Sequence, residues 1–236
     1  MAAAWLAIWQ LIHLSVGKEV LIPAPLAVLS RLTELMVQSE FWHHIGSSLL
    51  RILLGYLCAL LVGGMLGILT SRSRLLDALL SPAAKIIRAT PVASFIILLF
   101  VFLSKEHIPA VTSFLMVLPV VWSNTYEGIK SADPKLLEMA KVFRLGRAKT
   151  LLRIYLPGIF PFLLAAAKAG MGLAWKAGIA AEVLVPISTG IGSELYNAKI
   201  YLETVDLFAW TAVIIIISMI LEKLLVRLVR RLHDTP

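Results

Sequence analysis

"SLLRILLGYLCALLVGGMLGILT", residues 48–70, is the stretch whose reading decides the fold. It is as long as the roughly 20 residues a helix needs to cross the hydrocarbon core of a bilayer. Its apolar residues run on without the alternation of a barrel strand, so the spanning element is a helix. Gly63 and Gly67 stand four apart with Gly64 beside them. In lipid, burial of apolar surface gives helices no drive to associate, and small residues at this spacing let two backbones approach closely. Internal helix packing is the plain reading of these glycines, and a contact between two copies is the alternative.

Working outward, five more runs read as spans, at 2–16, 84–104, 108–129, 158–185 and 205–226. The expected fold is therefore all-α and transmembrane, with about six spanning helices in a single domain over 1–236. A chain that is 59% hydrophobic and 15% charged lies outside the range of soluble globular domains. The first run, "MAAAWLAIWQLIHLSV", lacks a basic opening and a small-residue cleavage site, so it reads as a short first span and not as a removed signal peptide. Pro91, Pro119, Pro157 and Pro161 sit within or beside spans, where proline is tolerated and can kink a helix. Cys58 lies inside an apolar run and, as the one cysteine, permits no internal disulfide.

The net charge is +8, and Lys and Arg cluster in three places between or after the apolar runs. Arg72, Arg74, Lys85 and Arg88 form one group, Lys130 and the segment after it a second, and Lys223, Arg227, Arg230 and Arg231 a third. This is the pattern of the positive-inside rule, and it explains the charge without nucleic acid. It places 71–88, 130–153 and the C-terminus in the cytoplasm. The segments 17–47, 105–107 and 186–204 then lie outside, and both termini lie inside. Lys105–Glu106–His107 is expected to be a tight turn.

The longest charged segment, "DPKLLEMAKVFRLGRAKTLLRIYLP" (133–157), is built as a helix. Asp133 can cap free amides and Pro134 suits a first turn. Gly146 is expected to supply a left-handed C-terminal cap. Leu136, Met139, Ala140 and Phe143 recur at helical spacing, with Lys141, Arg144 and Arg147 away from that stripe. A second short helix through Leu151 and Leu152 follows, and Pro157 leads back to the membrane. Three readings fit: a basic helix lying on anionic lipid, a bare connector, or a docking knob for a cytoplasmic protein.

The expected fifth span carries Lys168, Lys176 and Glu182. Intramembrane charge is costly and usually faces a protein interior or an aqueous cavity. Lys168, Trp175 and Glu182 are seven apart and share a helix face, yet about 21 Å separates Lys168 from Glu182, too far to pair. Snorkelling to the headgroups fits Lys168. A structural hydrogen bond or a gate fits Glu182. Lys176 lies about 80° from the Lys168 face, where a translocation path and a buried partner both fit; if it lines the path, it favours anionic cargo. No G-x(4)-G-K-[ST] loop is present, so the chain is not a P-loop ATPase. No H-E-x-x-H or cysteine–histidine cluster suggests a metal. His43–His44 beside Trp42 reads as an interfacial feature, and no catalytic constellation is found.

Glu138-x-Ala140 followed by Ile154-x-Leu156-Pro157 resembles the cytoplasmic loop E-A-A-x(3)-G-x(9)-I-x-L-P of ABC-importer permeases. "LIPAPLAVL" (21–29), "SLLRILLGY" (48–56), "IIRATPVASF" (86–95), "NTYEGIKSADPKLLEMA" (124–140) and "AWKAGIAAEVL" (174–184) are similar, in order, to the nitrate/sulfonate/taurine-type permeases of that group. The resemblance covers nearly the whole chain. It implies a type I importer permease in the bacterial inner membrane, acting as a homodimer that forms the solute path. Two ATPase subunits carrying ATP and Mg would dock on the loop at about 131–156, and an extracytoplasmic binding protein would deliver the solute. In that setting Glu138, Ala140, Phe143, Arg144, Gly146 and Arg147 are the coupling residues, and Lys168, Trp175, Lys176 and Glu182 are the path candidates. Nitrate, a sulfonate or taurine is the implied cargo. A thiamine-precursor pyrimidine or riboflavin is the alternative on the same architecture, and an ATP-independent secondary transporter the alternative from another class. Met139 replaces the middle alanine of the motif and Arg144 its glycine, which is expected to shift the turn to Gly146.

Overall fold

Prolines and side-chain caps mark where several of the helices begin. The structure, a computed structural model, describes residues 2–233. The helices are α1 (Ala2–Val16), α2 (Pro25–Val37), α3 (Ser39–Arg72), α4 (Arg74–Ala89), α5 (Val92–Phe102), α6 (Ile108–Lys130), α7 (Pro134–Val142), α8 (Arg147–Thr150), α9 (Leu156–Leu184), α10 (Ile191–Ile200) and α11 (Thr204–His233). A single tight helical turn, Lys105–His107, joins α5 to α6 as expected.

Four apolar stretches are long enough to cross a membrane: Ser39–Arg72, Lys105–Lys130, Leu151–Leu184 and Thr204–Leu228. They contain the spans expected at 48–70, 108–129, 158–185 and 205–226. The span expected at 84–104 is not one helix. Its chain forms α4 and α5, bent by 107° at Thr90–Pro91. Pro91 disfavours helical backbone in the residue before it, and Thr90 is extended, with φ −83° and ψ 128°. The span expected at 2–16 forms a helix of 15 residues. That is about 22 Å long, short of a hydrocarbon core of about 30 Å. The segment 17–47, expected as a loop, contains α2 and the first turns of α3, and 186–204 contains α10.

The core is a three-helix layer of α3, α6 and α9, with α11 packed on α9. Glycines set the distances. A Cβ on Gly63 would lie 2.9 Å from Val121 Cβ, and one on Gly67 would lie 2.5 Å from Thr125 Cβ and 2.8 Å from the Trp122 carbonyl. Gly63 and Gly67 therefore serve packing of α3 on α6 within one chain, while Gly64 meets no such neighbour. These pairings run α3 and α6 parallel. Gly170 beside Val117 and Gly178 beside Ile52 and Ser113 set α9 antiparallel to both.

Buried polar groups tie the layer. Tyr56 donates to the Ala167 carbonyl (2.9 Å), Ser113 to Ala174 (2.9 Å), Trp122 Nε1 to Thr70 Oγ1 (2.9 Å) and Trp175 Nε1 to Ile214 (3.1 Å). In lipid these donors have no water to turn to. α2 adds Val28, Leu32 and Leu35 to the core and is also held to α11 by Arg31, whose Nε donates to Asp206 Oδ1 at 2.6 Å and Nη2 to Oδ2 at 2.9 Å. That hydrogen-bonded carboxylate holds the Arg31 guanidinium well above its usual range. Leu50, Leu54, Leu57, Leu61 and Met65 of α3 are exposed over several turns. Such a surface is too large for a water-soluble monomer and suits lipid.

Candidate coupling loop and solute path

The loop between α6 and α9 starts as the sequence predicts. Asp133 Oδ1 accepts from the Lys135 amide at 2.8 Å and caps α7, with Pro134 in the first turn. The end differs. Arg144, not Gly146, adopts the left-handed conformation, with φ 49°. The Leu145 amide donates to the Ala140 carbonyl (2.8 Å) and the Arg144 amide to Lys141 (3.0 Å). Those two bonds form a Schellman turn with Arg144 in the position that favours glycine. The turn has not moved to Gly146; the Thr150 amide bonds instead to the Gly146 carbonyl (3.0 Å) as α8 begins.

This turn arranges the predicted coupling residues. Ala140 is buried, so the expected stripe divides: Leu136, Met139 and Phe143 face outward and Ala140 inward. Phe143 and Val142 are the most exposed, at 71% and 78%. Glu138, Arg144 and Gly146 are exposed. Arg147 opens α8, and its side chain lies outside the described residues.

Beyond α8 the helix does not break at Pro157. Leu151–Tyr155 forms a π-helical turn that runs straight into α9, and the Leu156 amide reaches the Leu151 carbonyl. Proline has no amide to offer the carbonyl four residues back, and widening the preceding turn passes the chain over that defect. One continuous helix, Leu151–Leu184, therefore links the loop to the path candidates.

Those candidates do not form one site. Lys168 is exposed beside a cavity of about 230 Å³ between α9 and α11, which Trp175, Ser218 and Glu222 also line. Trp175 is buried and held by Ile214. Lys176 is exposed on the α9 face turned away from α3, α6 and α11, and makes no ion pair or hydrogen bond among the described residues.

Glu182 is fully buried at the other end of α9, away from Lys168, as the arithmetic of the helix requires. Its Oε2 accepts from Ser48 Oγ (2.7 Å) and from the Gly192 amide (3.0 Å). Its Oε1 lies 3.7 Å from Arg51 Nη1. Arg51 in turn donates to the Thr189 carbonyl (2.6 Å) and to Glu106 Oε2 (2.9 Å). His44 Nδ1 accepts from the Gly190 amide (3.0 Å), and Ser48 Oγ from the Ile191 amide (2.9 Å). The carboxylate thus sits at the centre of a polar clamp that holds the loop 185–190 and the start of α10 against α3. Sequence reasoning missed Ser48, Arg51, His44 and Glu106 as its partners. The available signal was Arg51 itself, a charge three residues into an apolar run, which demands an acid on a neighbouring helix.

The sequence pattern of the family described as binding-protein-dependent transport system inner membrane component matches residues 52–235. SsuC of Bacillus subtilis (strain 168), which carries the name of an aliphatic sulfonates transport permease, is 30% identical over 98% of this chain and 84% of its own length. The taurine transport system permease protein TauC of Escherichia coli is 28% identical over 95% of this chain and 83% of its own. The bicarbonate transport system permease protein CmpB of Synechococcus elongatus is 30% identical over 82% of this chain and 73% of its own. The fold is similar to that of a chain from the MetNI methionine ABC transporter in inward-facing conformations, with a TM-score of 0.64 at 16% identity, covering 85% of this chain and 97% of the other. The apolar helices, the capped loop and this match over most of its length agree: the chain belongs to the binding-protein-dependent transport system inner membrane components, the permeases of ABC importers.

Proposed function

We propose that two copies of this chain form the solute path of an importer for a small anionic or polar solute of the sulfonate, taurine or bicarbonate kind. Two separate ATPase subunits carry ATP and Mg and dock on residues 133–153, and an extracytoplasmic binding protein delivers the solute. The loop end and the C-terminal segment face the cytoplasm, in keeping with the basic residues there. The observation that carries this reading is the shape of the loop: a capped helix ends in a fixed turn that leaves Val142 and Phe143 exposed at its tip. An apolar tip flanked by Lys141 and Arg144 suits a groove on a partner. A bare connector has no need of such a turn.

The cycle follows from the connection to α9. ATP binding closes the ATPase pair and moves the docked loop. The π turn passes that movement into one helix that ends beside the Glu182 clamp, while Lys176 on its exposed face meets solute between the two copies. Hydrolysis returns the loop.

Co-purification with its ATPase partner tests the docking. Phe143→Ala with Glu138→Ala should release the ATPase while leaving the permease folded. Retention of the ATPase by that double variant contradicts the proposal.

A further inference from the structure

α4 is amphipathic, with both its apolar stripe and its basic residues largely exposed. Leu75, Leu79 and Ile86 form an apolar stripe exposed at 79%, 71% and 64%. The opposite face, with Asp77, Ser81, Lys85 and Arg88, is turned toward α6. Lys85 and Arg88 are themselves exposed and Ile87 packs against the core, so the polar face forms the open rim of a space beside α6. That space exists: a cleft of about 150 Å³ between α4 and α6, completed by Trp122 and Ser123. Water takes about 30 Å³ each in the liquid, so the cleft has room for a small solute group.

The charges in it are unbalanced. Arg88 Nη2 donates to the Pro119 carbonyl at 2.6 Å. Pro119 lies midway along α6. Lys85 stands one turn back on the same face, within about 6 Å by helix geometry. Neither cation makes an ion pair among the described residues. The one acid of the cleft, Asp77, sits two turns from Lys85 and accepts from Tyr126 Oη at 3.4 Å. Two exposed like charges one turn apart repel each other, and an anion held between them relieves that repulsion.

We propose that this cleft is an oxyanion site, in which Lys85 and the free guanidinium donors of Arg88 hold a sulfonate, carboxylate or phosphate group and Ser123 and Ser81 line it. The site is separate from Lys176 and Lys168 on α9. It rests on the transport reading only for the source of the oxyanion, which is either a free solute or the phosphate of a phospholipid.

Equilibrium dialysis of labelled ethanesulfonate against the full chain in phosphatidylcholine nanodiscs tests the first source. Native mass spectrometry of phosphatidylglycerol retained by the detergent-purified chain tests the second. Lys85 has no partner to lose, so Lys85→Gln leaves the fold in place and should weaken one of the two by about tenfold, while Lys85→Arg keeps it. Arg88→Gln should act in the same direction. Arg227→Gln, on α11, is the control. A loss of ethanesulfonate binding assigns the site to solute, and a loss of retained lipid assigns it to a headgroup; both support an oxyanion site. If Lys85→Gln alters neither measurement more than Arg227→Gln does, the proposal is wrong. Neither assay uses ATP or the ATPase, so their outcome is independent of whether the loop docks.

Discussion

Arg144 carries a left-handed backbone on a residue with a Cβ, a conformation that costs about 1 kcal/mol or more. It persists because two backbone bonds and the burial of Ala140 fix where α7 ends. Arg144→Gly should therefore raise the stability of the loop by about 0.5–1 kcal/mol, read as a small rise in the thermal unfolding midpoint, and Arg144→Val should lower it. Asp133 was legible as a cap because a cap is a local matter of side chain and amide. The left-handed residue was not, since Gly146 offered the better intrinsic preference and the turn is set by which carbonyl Leu145 reaches. Glu182 shows the same limit. Its charge was legible, but its partners come from α3 and the first turn of α10, which no local pattern joins. Glu182→Leu should cost about 3–5 kcal/mol by leaving Arg51 beside an apolar group and the Gly192 amide unpaired. Glu182→Gln, which keeps an acceptor for Ser48 and Gly192, should cost much less. Thermal unfolding in detergent separates the two.

At the scale of elements, small residues position the α3–α6–α9 layer more than large ones do. Gly67→Leu should disrupt the layer, because even its first carbon would meet Thr125 and the Trp122 carbonyl, whereas Gly64→Ala, with no neighbour within 4 Å, should be tolerated. Yield of monodisperse protein after solubilisation compares them. Four spans were legible from length and apolarity alone. The third was misjudged because hydropathy does not see a backbone break: 84–104 is apolar enough to cross, yet Pro91 turns the chain by 107°. The continuity of Leu151–Leu184 through Pro157 was hidden for the opposite reason, since a π turn absorbs the missing amide. This matters for coupling, because a rigid helix transmits a push that a flexible joint would dissipate.

For the whole molecule, α9 joins the exposed loop at one end to the polar clamp at the other, and between them lies Lys176, which makes no ion pair among the described residues. Lys176→Met should lower solute uptake several-fold while leaving the folded yield unchanged, because the residue makes no contact that the fold needs. Unaltered uptake would remove Lys176 from the path. The family was legible because its motif residues lie in order along nearly the entire chain; the solute was not, because no residue pattern along the chain singles out one cargo. The central claim is that this chain is a passive path driven through its loop by another subunit. Uptake of labelled ethanesulfonate into proteoliposomes holding the permease, its ATPase and its binding protein tests that claim most directly. The account predicts uptake that requires enclosed ATP and is lost with Phe143→Ala plus Glu138→Ala; uptake that continues without ATP, or with that double variant in place, contradicts it.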